Sequence, residues 1–138
     1  MWVKLNTDGA FVREDGSAGS GMILRDQAGD IVFSSCGCLH YSSKAFEAEL
    51  SAIKEGLALA LQWSQMPIHI ETDSVDAVNL LKKNGMDRSR FGFMVYEIRS
   101  LMSHINSCIT HIRRNHDLMS RVLASYGRTS GRTAFWLA

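Results

Sequence analysis

Three carboxylates in this chain sit where a carboxylate is costly. Asp8 interrupts the opening run KLNTDGAF (residues 4–11), which follows the apolar pair Trp2 and Val3 and begins like a strand. Glu49 lies inside the apolar stretch FEAELSAIKEGLALA, and Asp73 falls near the end of IHIETDS. Burying an ionised carboxylate without a partner is expensive, so a chain that keeps one at a core edge pairs it, protonates it or binds a cation with it. Taken alone, Asp8-Gly9 reads as a turn, because Asp-Gly is a strong turn dipeptide. Acids on a strand, on a packed helix and at a neighbouring strand end can nevertheless gather at one point without any local motif. Clustered carboxylates repel, and a divalent cation is the usual remedy. Oxygen-rich sites suit Mg²⁺ or Mn²⁺, and two such ions about 3.5 to 4 Å apart can activate water and stabilise the leaving oxygen of a phosphodiester.

The elements that must position these acids follow from the hydrophobic period. Residues 3–11, 19–25 and 31–39 are β-like runs, separated by the turn-rich GSAG and DQAGD, and an antiparallel meander is their natural product. From residue 44 to 62 the period changes: Leu50, Ile53, Leu57 and Leu61 recur at helical spacing, which predicts a long helix with a wide apolar face. Pro67 restarts the chain as PIHIETDS, a short apolar strand ending in acid. Residues 74–83 read as a helix stopped at Asn84-Gly85, residues 93–105 as another, CITHIRR as a strand and residues 117–125 as a last helix. The order β-β-β-α-β-α-α-β-α predicts a mixed sheet with helices on its faces.

At 138 residues, 46% hydrophobic and 21% charged, the chain suits one globular domain with a real core. Its three cysteines, Cys36, Cys38 and Cys108, are an odd count without a signal peptide and point to an intracellular, reducing compartment. Cys36 and Cys38 are two apart in a β-like run and are read as core or near-core thiols. No apolar run reaches the roughly 18 residues a membrane span needs, so a soluble protein is expected. The net charge of +1 hides an asymmetry: residues 1–69 carry a net −3 and residues 70–138 a net +4, with eight arginines among ten basic residues in the second half. Arginine suits phosphate recognition, although a solvated face has the same composition. Gly16, Gly19 and Gly21 are expected at turns and bulges, since no Gly-Lys-Ser/Thr follows to make a phosphate loop. His-x-Glu at residues 69–71 lacks the Pro-Cys-x-x-Cys of a zinc deaminase.

The blocks WVKLNTDGAF, AGSGMILRDQAGDIV, FEAELSAIKEGLALA, IHIETDS and HIRRNHDLMSRVLA resemble, in order and approximate spacing, the plant ribonuclease H-like domain. That family occurs at the C-terminus of non-LTR retroelement reverse transcriptases and in stand-alone plant proteins, and the resemblance covers nearly the whole chain. It implies an α/β ribonuclease H-like fold over a single domain, residues 1–138, with a five-stranded mixed sheet in order 3-2-1-4-5 flanked by helices. It also implies endonucleolytic hydrolysis of RNA paired with DNA, using two Mg²⁺ or Mn²⁺ ions and no small-molecule cofactor. The family's catalytic, metal-ligating acids fall on Asp8, Glu49 and Asp73. Glu49 rather than Glu47 is the match, being three residues before Ala52 in AEL-x-A.

Two departures accompany the resemblance. Aligning His111, Arg114 and Leu123-Ala124 with the family's last block puts Arg121 where a fourth Asp or His belongs, and Asp117 where Asn is usual. Ala45 and Phe46 stand where cellular ribonucleases H carry polar amides that grip the hybrid. Asp117 and His116 are the candidate auxiliary residues, although Asp117 and Arg121, four apart on a helix, could equally form a surface ion pair. Two functions result: a weak metal-dependent hybrid ribonuclease, or a catalytically degenerate module that binds nucleic acid or a protein partner.

Overall fold

The computed structural model describes residues 1–39, 42 and 44–137. Strands β1 (Val3–Phe11), β2 (Ala18–Arg25) and β3 (Ile31–Leu39) form the expected meander, followed by helix α1 (Ala45–Trp63), strand β4 (Ile68–Thr72) and helices α2 (Val75–Lys82) and α3 (Gly92–Ser103). Strand β5 (Ser107–His111), a single 3₁₀ turn (Arg114–His116), helix α4 (Leu118–Ser130) and strand β6 (Ala134–Leu137) complete the chain. The sheet order is β5-β4-β1-β2-β3-β6. β1 pairs antiparallel with β2 and parallel with β4, β4 is parallel to β5, and β3 is antiparallel to both β2 and β6. The expected 3-2-1-4-5 order is therefore present, with a sixth strand added beside β3.

The sixth strand left little trace in the sequence because it is four residues long and its pairing is entirely long-range. Phe33 to Cys36 pair with Leu137 to Ala134, the Ser35 hydroxyl donates to the Ala134 carbonyl at 2.9 Å, and Phe135 lies between Phe33 and Trp63 at ring separations of 5.2 and 5.3 Å. Cross-strand and aromatic contacts of this kind, not local propensity, hold such an edge. Helix α4 also runs five residues past its expected end. Gly127 looks like a stop in the sequence, whereas the actual C-cap is Gly131, which takes the left-handed φ of 68°. Cys36 is buried, Cys38 half-buried and Cys108 exposed, so the near-core reading holds for the first two. Among the described residues no helix is long and apolar enough to cross a membrane.

The main core lies between the sheet and helices α1 to α3, with Leu5, Met22, Phe33, Leu50, Ile53, Leu57, Ile70, Ile98 and Ile109 almost fully buried. Arg99 on α3 ties down the α2–α3 connection by donating to the carbonyls of Leu80, Lys83 and Gly85 at 2.6 to 2.9 Å. On the opposite face α4 lies alone, turning Ser120, Ala124 and Gly127 toward the sheet. Here the expectation for Gly19 and Gly21 is corrected. They occupy regular positions of β2 rather than turns or bulges, and a methyl on either would meet the backbone of α4. Gly16 alone of the three has a turn conformation, with φ of 71°. A Cβ at Gly19 would lie 2.5 Å from the Arg128 amide nitrogen, and neither strand nor helix backbone can give way cheaply. Gly19→Ala should therefore destabilise the fold by about 1–3 kcal/mol or more. Urea unfolding checks this, and an unchanged midpoint would show that α4 is not seated this tightly.

Candidate active site

The register of the sheet brings the acids together. β1 and β4 pair from Val3↔Ile68 to Asn6↔Glu71, and the same parallel register continued by two residues sets Asp8 beside Asp73 just beyond the last paired row. Because strand side chains alternate, Lys4, Asn6 and Asp8 share a face with Glu71 and Asp73. That face is tied by a 3.0 Å hydrogen bond from Asn6 Nδ2 to Glu71 Oε1 and a 3.7 Å contact from Lys4 Nζ to Glu71. Glu49 arrives from α1 on the other side. Gly9 lets it come close: a Cβ there would lie 2.6 Å from the Glu49 amide nitrogen, and the Gly9 N–H donates to Glu49 Oε1 at 3.1 Å. One carboxylate oxygen from each of Asp8, Glu49 and Asp73 falls within 4.8 Å of the others. Glu47 lies elsewhere, in a hollow with Arg90, Phe91 and Phe93.

This convergence is electrostatically uncomfortable. Burial first, then the charge of Asp73, holds the Asp8 carboxyl well above the ordinary carboxylate range. Burial, then Asp8 and Asp73, raises Glu49 further. Glu49 Oε2 is buried with no hydrogen-bond partner. Three repelling acids, one with an orphaned oxygen turned away from its Gly9 bond, make a donor set that fits a hard divalent cation.

The acids line a cleft of about 640 Å³ that also receives Ala45 and a stripe of α4: Leu118, Arg121, Val122, Ser125 and Arg128, with Arg114 just before the helix. Arg121 is close enough to pull the Asp8 pKa down against the stronger raising effects. Of the two readings of Asp117 and Arg121, the surface ion pair is not formed. Asp117 is 2% exposed, accepts a hydrogen bond from the Ser120 hydroxyl and leaves Oδ2 unpartnered. Burial raises its carboxyl to about 8, the Ser120 hydrogen bond opposing. Asp117 and His116 border a separate small hollow with Asn6, Ile23 and Arg25, so neither auxiliary candidate lines the cleft of the three acids; His116 is exposed. Phe46 turns into the core edge and packs edge-on against Phe91 at 5.3 Å. Arg114 served in the sequence only as an alignment anchor and Arg128 was not named, although their seven-residue spacing about Arg121 was legible.

Acids whose folded pKa is raised give stability that is fully present below their unfolded pKa of about 4 and is lost as pH rises toward the folded value. The metal-free protein should therefore melt at a lower temperature at pH 8 than at pH 5. Glu49→Gln keeps an acceptor for Gly9 N–H and should flatten that slope, and Mn²⁺ should restore the wild type more at pH 8 than at pH 5. Identical slopes for wild type and Glu49→Gln in EDTA would remove the electrostatic account.

The reverse transcriptase-like family model matches residues 6–127. An Arabidopsis thaliana protein named "Putative ribonuclease H protein" is 31% identical over 129 residues, covering 91% of this chain and 20% of that protein. The chain thus spans about a fifth of the length of that curated relative. The RNase H1 of the halophilic archaeon Halobacterium salinarum superposes with a TM-score of 0.86 at 22% identity, covering 94% of this chain and 99% of that one. LC11-RNase H1, recovered from compost and solved in complex with RNA/DNA hybrid, gives 0.82 at 18% identity, covering 94% and 98%. At these identities the structural likeness establishes the fold.

Proposed function

Since the chain belongs to the reverse transcriptase-like family and has a ribonuclease H-like fold, we propose that it is a divalent-metal-dependent ribonuclease acting on the RNA of RNA–DNA hybrids, with low activity. The observation that carries this reading is the convergence of Asp8, Glu49 and Asp73 within 4.8 Å in the lining of one cleft. Asp8 projects from the central strand β1 and is 7% exposed. Glu49 keeps Oε1 on the Gly9 amide while Oε2 remains free to ligate. Asp73, half-buried between β4 and the N-cap Ser74 of α2, closes the third side. Mg²⁺ or Mn²⁺, two ions at full occupancy, would supply Lewis acidity and an activated water. The hybrid partner of LC11-RNase H1 supports the choice of substrate class.

Low activity follows from Arg121. A unit charge about 4 Å from another contributes roughly 1 kcal/mol in water and about 4 kcal/mol at an effective dielectric of 20. A guanidinium where an acid would otherwise sit turns that contribution against a second cation. The same residue favours a second reading, a degenerate module that keeps the fold and binds nucleic acid without cutting it.

Cleavage of a labelled RNA–DNA hybrid with Mg²⁺ or Mn²⁺, beside an Asp8→Asn control, separates the two. Weak wild-type cleavage that Asp8→Asn abolishes is expected. Asp8→Asn, Glu49→Gln and Asp73→Asn should each lose Mn²⁺ binding by calorimetry while staying folded. At saturating hybrid, Arg121→Asp should cleave about tenfold faster or more, each 1.4 kcal/mol being a factor of ten. No acceleration across a Mg²⁺ titration, in a folded variant, would acquit Arg121 and favour the binding module.

A further inference from the structure

The cleft holds three carboxylates and three guanidiniums that do not neutralise one another. Arg114, Arg121 and Arg128 line the same space as Asp8, Glu49 and Asp73, yet among the described residues the ion pairs within 4 Å are Lys4–Glu71 and Lys54–Glu97, neither in this cleft. Arg114 and Arg121 make no side-chain hydrogen bond among the described residues. Arg128 makes one, from Nη1 to the Ser17 hydroxyl at 3.0 Å, which anchors it to the β1–β2 turn and leaves its other donors available. Opposite charges that share a cleft without pairing leave the acids for cations and the guanidiniums for anions.

The spacing identifies the anion. The three arginines recur every seven residues, close to two helical turns, so Arg121 and Arg128 fall on one face of α4 with Arg114 ahead of them. Seven residues rise about 10 Å, too far for two guanidiniums to share one phosphate, so successive members of the row meet different phosphates of a polyanion. Between the charges stand Leu118 and Val122, 56% and 62% exposed. A cationic row with uncovered aliphatic side chains between its members matches a strand that presents phosphates at intervals and sugar or base surface between them. A free phosphate needs only one guanidinium and no aliphatic surface.

We infer that Arg114, Arg121 and Arg128 form a phosphate-gripping row that holds a nucleic acid strand along α4 without any divalent cation. It rests on the nuclease reading for the ligand's identity as a nucleic acid, and it locates the grip on α4 rather than at the N-terminus of α1, where Ala45 and Phe46 offer no polar contact. The negative charge that the acids keep in the absence of metal opposes this grip. Their neutralisation therefore strengthens it.

Fluorescence anisotropy with a short labelled RNA–DNA hybrid in EDTA tests the row, with Arg132→Gln, outside the cleft, as control. The double variant Arg114→Gln/Arg128→Gln should bind at least about tenfold more weakly, and its salt slope should fall by about 2, each phosphate contact contributing about 0.9. Arg114→Lys/Arg128→Lys should recover most of the slope, which guards against a mere folding defect. Asp8→Asn/Asp73→Asn should bind more tightly than wild type in EDTA. Unchanged affinity and slope in the glutamine double variant overturn the row, as does a wild type with no detectable binding in EDTA. Cleavage with an unchanged KM in the glutamine double variant would remove the row and leave the nuclease reading standing. A wild type that never cleaves but binds through these arginines would do the reverse.

Discussion

Backbone seated directly on backbone is the constraint on which this molecule depends. At Gly9 the first strand meets the start of α1 with no side chain between them, and at Gly19, Gly21 and the Gly37–Gly127 crossing the sheet meets α4 in the same way. Helices held off by ordinary side chains would stand further out, because a Cβ at Gly9, Gly19, Gly21 or Gly127 would fall 2.1–2.4 Å from the nearest backbone atom opposite. The Glu49 carboxylate would then not reach the Gly9 amide, and the α4 stripe would not share a cleft with Asp8. Glycine, elsewhere a weak point in strands and helices, is what makes the site compact.

That compactness creates the electrostatic state of the cleft. Asp8 and Glu49 are held where burial, and after it the charge of Asp73 on both and of Asp8 on Glu49, oppose ionisation, a state a folded protein tolerates when a cation or a proton relieves it. The arginines of α4 are near enough for Arg121 to be felt at Asp8 and yet are not paired with the acids. A complete set of salt bridges would have made the cleft inert, since buried and paired charges offer little to a ligand. Instead both charge types line one cleft, the acids from β1, α1 and the end of β4 and the arginines from α4 and the turn before it, which suits a polyanion that carries its own need for cations.

Two neighbours of the site behave as structure. Asp117, placed by sequence where the family has Asn, is buried, accepts a hydrogen bond from the Ser120 hydroxyl and borders a separate hollow. Phe46 has exchanged a polar role for packing against Phe91 and the core. The packing of Phe46 leaves the start of α1 without a polar contact there, and α4 supplies the charged side chains on its side of the cleft.

The sequence by itself determined the alternation that makes β1 to β3 a meander, the apolar period that makes α1 a helix, and the three acids at strand and helix positions that could meet. These features are local, because side-chain period and turn chemistry are written over a few residues. It also carried, in five ordered blocks, a family resemblance that named Asp8, Glu49 and Asp73. Tertiary structure alone decided that β6 joins the edge of β3, since four residues carry no independent strand signal. Only the folded chain shows that Gly127 lies within a helix rather than ending one, that Asp117 bonds to Ser120 and not to Arg121, and that Arg114 and Arg128 line the same cleft as acids far away in the chain. Each depends on which backbone lies against which, a long-range property that neither composition nor period encodes.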